Sequence, residues 1–296
     1  MRPLFLAALL APLLSVLCAQ PGSPSEPVRL LSAGIDLQVH DGRLRPAIGV
    51  ESIQVMRANR THPDLADGLG WTYSHAPMLA YWNGRFFLQY LSNPFGEHHA
   101  PGQTLIVTSR DGRNWDKPQP VFPIYYLKPG PISGNESGMA MMHQRMGFYV
   151  APNGRLLVLG HYGLAPDPTG EKGIGRVVRE ALADGTYGPI YFIRYNSLAG
   201  ANENNTTRFP FYRRAPDEGF VAACEALLAD KLKTVQWREE DRSEDGFYTA
   251  PGPSSQALSA SHPILQAPAV FHRKDGMAVV LWKASWAALS GDEGQT

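Results

Sequence analysis

Tyr73-Ser74-His75-Ala76-Pro77-Met78-Leu79-Ala80-Tyr81-Trp82-Asn83-Gly84-Arg85-Phe86-Phe87-Leu88 reads as a strand, a tight turn and a returning strand. Asn-Gly tolerates the positive φ angles that a two-strand turn demands, so the stretch predicts a β-hairpin. The same pattern returns twice. Phe148-Tyr149-Val150 leads through Asn153-Gly154 to Arg155-Leu156-Leu157-Val158-Leu159, and Val270-Phe271-His272 leads through Asp275-Gly276 to Met277-Ala278-Val279-Val280-Leu281-Trp282. The runs beside these turns are nearly continuously apolar, which implies sheets covered on both faces.

The run Gln103 to Ser109 predicts a further strand, and it enters Ser109-Arg110-Asp111-Gly112-Arg113-Asn114-Trp115. That turn resembles the Asp box of sialidase-like β-propellers, in which the Asp carboxylate accepts backbone hydrogen bonds and the Trp packs between sheets. Ser290-x-Asp292-x-Gly294-x-Thr296 resembles a second one, lacking only its final aromatic. The resemblance implies an all-β propeller, whose neighbouring blades supply the cover each sheet needs. The separation of the two turns suits about four blades at ~40–45 residues per repeat. Because the second turn is cut short, the propeller domain is expected over 20–296 and incomplete at its C-terminus. Trp82, Trp282 and Trp286 read as packing between blades.

Helical inserts interrupt the β pattern. Phe220, Cys224, Leu227, Leu228, Lys231 and Leu232 recur at helical spacing after Pro216-Asp217-Glu218-Gly219 and predict an amphipathic helix. A second short helix is predicted at Arg176-Val177-Val178-Arg179-Glu180-Ala181-Leu182.

Met1-Arg2-Pro3 and the apolar run Leu4 to Leu17 read as a signal peptide over 1–19, cut near Ala19-Gln20. The expected product is soluble and secreted or periplasmic. Lipid anchoring through Cys18 is disfavoured by the large Leu17 before it. After cleavage Cys224 alone remains, so no intrachain disulfide is expected. Lys plus Arg and Asp plus Glu are both 27, which leaves no basic field for nucleic acid. Later segments fall short of the ~20 apolar residues of a spanning helix. A monomer without membrane contact is expected.

A sialidase typically opens its first blade with Arg-Ile-Pro, and here that place holds His75-Ala76-Pro77-Met78-Leu79. Histidine stands where the carboxylate-gripping arginine would be, which argues against sialidase activity. The segment from Tyr73 to Trp115, with Gly173-Ile174-Gly175-Arg176 and Gly188-Pro189-Ile190-Tyr191-Phe192-Ile193-Arg194, resembles propeller enzymes acting on a terminal α-L-rhamnosyl-(1→4)-D-glucuronate unit, as lyases or as related hydrolases. This resemblance implies a seven-bladed ring and a plant oligo- or polysaccharide substrate. Such enzymes can carry calcium; the sequence shows no recognisable calcium loop, so no cofactor is assigned.

Elimination at a uronate requires a neutralised carboxylate, removal of the C5 proton and protonation of the departing O4. Arginine's planar fork suits the first task, and histidine, titrating near neutrality, suits the others. His75, His143 (with Arg145) and His262 each precede the inner strand of a predicted hairpin, and inner strands converge on the axial channel. His98 and His99 lie in the next loop of the His75 blade. His75 and His98 are therefore the expected acid–base pair, with Arg145 clamping carboxylate. His99, His143 and Arg208 are candidates for substrate contact, while His161 reads as structural. A hydrolase using a carboxylate pair such as Glu136 and Glu203 is the alternative enzyme. A non-catalytic propeller binding glycans or proteins is the third reading. Glu97-His98-His99 lacks the His-x-x-x-His spacing of a zinc protease, and neither a phosphate loop nor a Gly-x-Ser-x-Gly elbow occurs.

Overall fold

A computed structural model describes residues 36, 38–39, 43–44, 48–97, 99–134, 137–143, 146–166, 172–206, 208–234, 269–281 and 287–295. The predicted leader, His98, Glu136, Arg145, His262, Trp282 and Trp286 lie outside the described residues. The chain divides into two units, Met1–Val50 and Glu51–Thr296. In the first, Arg43 pairs with Asp36 at 3.2 Å. The second unit carries the β-sheets.

Its first sheet holds β1 (Tyr73–Trp82), β2 (Arg85–Asn93), β3 (Gln103–Ser109) and β4 (Gln119–Phe122) in sequential antiparallel order. Trp82 pairs with Arg85 across a two-residue turn, with Asn83 at φ 48° and Gly84 at φ 73°. This is the primed geometry that follows strand twist without splaying the strands. The second sheet runs β10 (Tyr191–Tyr195), β9 (Gly173–Ala181), β8 (Leu156–Leu164), β6 (Gly138–Met142) and β5 (Tyr125–Leu127), while β7 (Gly147–Val150) also pairs β8. β6 and β7 pair with the same strand, β6 with Tyr162–Leu164 and β7 with Leu156–Leu159 of β8. The third sheet holds β11 (Ala269–His272), β12 (Ala278–Leu281) and β13 (Ala287–Ser290).

All three predicted hairpins form, but not with one turn. In the second and third the glycine alone takes positive φ, 82° at Gly154 and 81° at Gly276. Ala151 and Arg273 each bond across a three-residue loop, to the carbonyls of Arg155 and Met277.

Both Asp-box turns form as well. Asp111 Oδ1 accepts from the backbone N–H of Arg113 and Asn114, each at 2.8 Å, and Trp115 Nε1 donates to the Gly112 carbonyl at 3.0 Å. Asp292 Oδ1 likewise accepts from Gln295 N at 3.0 Å, and Ser290 Oγ from Gly294 N at 2.8 Å. These donors, from Asn114 first, hold the Asp111 carboxyl well below the usual carboxylate range. A depressed native pKa means stability that is present above the unfolded value near 3.9 and lost as pH falls toward the native one. Asp111→Asn is therefore expected to lower Tm at pH 7, with the gap to the wild type narrowing progressively as pH falls below about 4. A thermal melt series from pH 7 to pH 2 checks it; a gap as wide at pH 2 as at pH 7 contradicts the charge argument.

The first two sheets pack face to face through Phe87, Leu91 and Ile106 of the first and Met142, Val158, Val177 and Phe192 of the second. Trp82 Nε1 reaches the Gly154 carbonyl at 2.8 Å and Gln89 Nε2 the Gly147 carbonyl at 2.6 Å, tying the two hairpins together. β3 and β8 are buried along their whole lengths, as two-sided cover requires. β1 instead alternates, leaving Leu79 and Tyr81 each 61% exposed.

On the second sheet's other face lies a helix, Glu218–Ala229, preceded by the short α1 (Glu203–Thr206) and hence α2. Asp217 caps it, accepting from Gly219 N and Phe220 N at 2.9 and 3.1 Å. Phe220, Ala223, Cys224 and Leu227 bury against Leu157, Leu159, Val178 and Ile193. Arg155 holds the Asp217 carboxylate with two nitrogens, at 2.7 and 3.0 Å, and Glu180 at 2.7 Å, so the second hairpin anchors the helix start. Burial pushes the Cys224 thiol up.

The helix predicted at 176–182 is a correction. Residues 176–181 belong to β9 and Leu182 follows its end, with Ile174, Val177 and Ala181 facing one core and Val178 the other. A strand buried on both faces carries apolar residues without alternation, and that run is indistinguishable from a short buried helix by periodicity.

Candidate active site

The site is built where the first two sheets meet. β1 carries Tyr73 and His75, and a bulge follows at once: pairing with β2 shifts between His75 and Met78. Ala76, inside that bulge, has φ 50°. A left-handed non-glycine residue costs on the order of 1–3 kcal/mol, and such strain concentrates where a side chain is being re-aimed for function. The loop after β2 brings Glu97 over the strand. From the second sheet, His143 enters at the break between β6 and β7, its N–H bonded to the His161 carbonyl at 3.2 Å.

These side chains converge on one carboxylate. Glu97 Oε1 lies 3.8 Å from His75 Nε2 and 3.7 Å from His143 Nε2. Glu97 Oε2 accepts from the Tyr73 hydroxyl at 3.4 Å. The Tyr73 and His75 rings lie 5.6 Å apart. Burial, then the charge of Glu97 and its hydrogen bond, raise the Tyr73 phenol above its ordinary value. The imidazoles differ in access: the His143 side chain is 2% exposed, His75 42%. His75 also borders a largely apolar cleft of about 510 Å³, between β1, β2 and the segment Ser52–Met56. A solvent-facing imidazole backed by a carboxylate at a cleft wall can take and return a proton.

The other candidates among the described residues stand elsewhere. His99 is exposed and packs its ring 4.0 Å from that of Phe95. Arg208, also exposed, lies over the Tyr125 ring at 6.0 Å, and Tyr125 packs on Tyr162 and Phe209. Glu203, half of the proposed carboxylate pair, is ion-paired to Arg214, which holds its carboxyl low. His161 is buried in β8 opposite Arg176 of β9. Calcium asks for six to eight oxygen ligands. Among the described residues no three His, Cys, Asp or Glu gather to hold a metal ion, and no step below uses one.

Residues 28–253 match the family model described as "Beta-prop_BT_1020-like, N-terminal beta propeller". The chain belongs to that family. It is a sialidase-like, all-β propeller, as the hairpins and Asp-box turns imply. A solved chain titled "Sialidase" is 43% identical, with a TM-score of 0.73 over 87% of this chain and 23% of its own length. This propeller thus spans about a quarter of that protein. A β-1,3-galactosidase of family GH43, solved with galactodeoxynojirimycin, is 13% identical over 79% of this chain and 58% of its own, with a TM-score of 0.35, too low to carry an argument. No curated protein matches.

Reading the propeller's sequence alone leaves Glu97 without a role, since nothing in Gly96-Glu97-His98-His99 says which neighbour its carboxylate meets. The signal that was present is the cluster itself: a carboxylate beside two histidines in the loop that follows the His75 hairpin. Tyr73 carries no such signal.

Proposed function

We propose that this chain is the propeller of an exported enzyme that cleaves a terminal glycosidic linkage beside a carboxylate-bearing sugar. One observation carries the reading: imidazoles from two different sheets meet at Glu97 beside an open cleft. Packing alone does not call for a carboxylate shared by two histidines, whereas proton transfer does.

The finer form is removal of terminal α-L-rhamnose from D-glucuronate by β-elimination. A base takes the C5 proton, the C4–O4 bond breaks as the C4=C5 double bond forms, and an acid protonates the departing oxygen. His75 serves as the group exchanging protons with the substrate. Arg145, two residues after His143, is the proposed carboxylate clamp, and His98 the proposed second acid–base group.

Hydrolysis on the same scaffold is the second reading, favoured by the 43% identity to a chain titled "Sialidase". Against sialic acid itself stands His75, in the place where sialidases carry arginine. A rhamnosyl-glucuronate disaccharide and gum arabic separate the outcomes. Elimination releases rhamnose with the ultraviolet absorbance of a conjugated uronate, and hydrolysis releases rhamnose without it. If the intact protein, or the longer protein to which this propeller belongs, releases no sugar from either, the enzyme reading is lost.

A further inference from the structure

We infer that the cleft bordered by His75 holds the uncharged, apolar-edged sugar of the linkage, a 6-deoxyhexose seated by its methyl group, and that the carboxylate-bearing sugar stays outside it. This inference rests on the enzyme reading given above and adds which half of the substrate lies where. Ile53, Val55 and Met56 form one wall, and Pro77, Leu88 and Tyr90 of the first hairpin form the other. Val55 and Met56 pack against Tyr90, Leu105 and Val107, so the sheet's own core holds that wall in place. The remaining lining residues are two serines, Gln54 and His75; no carboxylate, lysine or arginine of the described residues belongs to it. A carboxylate entering there would leave water with no cation to meet it, which is the costliest exchange an apolar cleft imposes. It would also approach the Glu97 carboxylate, 3.8 Å from His75 Nε2, and like charges repel. A sugar hydroxyl laid against Ile53 or Met56 would lose its bonds to water and gain none, whereas a methyl group there removes apolar surface from water. The volume of about 510 Å³ lies within the range of small-molecule sites. His75 and Pro77 flank the left-handed Ala76 and both line the cleft, so the apolar wall begins where the bulge presents the imidazole. A sugar seated against that wall brings its glycosidic bond to His75.

The test reads binding at the side chains of the wall. The full chain, labelled with carbon-13 in its Ile and Met methyl groups, is titrated by NMR with three probes. These are methyl α-L-rhamnopyranoside, methyl α-L-mannopyranoside, which differs from it only by a hydroxyl on C6, and D-glucuronate. The rhamnoside is expected to shift the Ile53 and Met56 methyl signals, with a Kd at least about tenfold below that of the mannoside, as when an apolar pocket must take up a hydroxyl. Glucuronate should leave both signals in place. Ile53→Asn and Met56→Gln each set a polar group in the wall, and each should close most of the gap between the two glycosides. Leu79→Ser, on the same hairpin but outside the lining, should keep it. Equal affinities for the two glycosides, or methyl signals that only glucuronate moves, overturn the inference. So do signals that move with protein concentration in the absence of sugar, which would make the wall a surface for association between copies of the chain. If the rhamnoside binds as described and no glycan is cleaved, the enzyme reading fails and the assignment of the cleft stands. If the rhamnosyl-glucuronate disaccharide is cleaved while no glycoside moves the two signals, the enzyme reading stands and the assignment of the cleft fails.

Discussion

His75→Ala is expected to lower the rate of glycan cleavage by about 10²–10⁴-fold, roughly 3–5 kcal/mol of barrier, with the fold intact. On the proposed acid–base role, the loss is that of the group that moves the proton. It is not a packing loss, because the His75 side chain is 42% exposed. β1 keeps its pairing on either side of the position, Ser74 with Ser92 and Met78 with Gln89, so the hairpin has no reason to shift. Tm should therefore move by no more than a few degrees while turnover collapses. His99→Ala is the control within the same blade: that ring packs on the exposed Phe95, and its removal should leave the rate essentially unchanged. Initial rates on the rhamnosyl-glucuronate disaccharide, with melts of each variant, decide the matter. A His75→Ala protein that still turns over at the wild-type rate removes the imidazole from the chemistry.

The largest effect on stability is expected at Gly175. This residue sits in β9 between Tyr162 of β8 and Tyr195 of β10, where β10 bulges between Phe192 and Arg194. A Cβ there would lie 3.2 Å from Phe192 Cδ1 and from Tyr195 Cα, and well inside contact with the Arg194 carbonyl oxygen. Two of those three atoms are backbone held in a ladder, so they cannot step aside as a side-chain end can. Gly175→Ala should cost about 3 kcal/mol or more, the upper part of the range for overpacking. For a domain of this size that lowers Tm by roughly 6–12 °C. Gly147→Ala meets only Leu159 Cδ1 at 3.7 Å, an ordinary contact, and should melt near the wild type. Equal melting points for the two variants would show that β10 can withdraw from β9 without loss.

How much was legible depended on how far apart the interacting residues lie. Asn83-Gly84, Asn153-Gly154 and Asp275-Gly276 each announced a hairpin because the turn's demand falls on residues beside one another. Pro216-Asp217-Glu218-Gly219 likewise marked the start of α2, and in the structure the Asp217 carboxylate bonds to N–H groups two and three residues on. The two Asp-box turns close within six residues or fewer and were readable for the same reason. Residues 176–182 misled because their apolar run follows from burial on both faces of β9, which is set by β8, β10 and α2 together.

The site divides along the same line. The chain order alone marked His75 and His143 as residues entering inner strands, because the turn that follows each fixes where its strand begins. It could not show that they share a partner. Glu97 stands 22 positions after His75 and 46 before His143, and only the packing of the first sheet on the second sets its Oε1 between their rings. Local sequence therefore determined the hairpins, the Asp-box turns and the start of α2, whose hydrogen bonds close within a few residues. The meeting of two imidazoles at one carboxylate was decided by tertiary structure, because it depends on distances that exist only after the two sheets have buried their facing side chains.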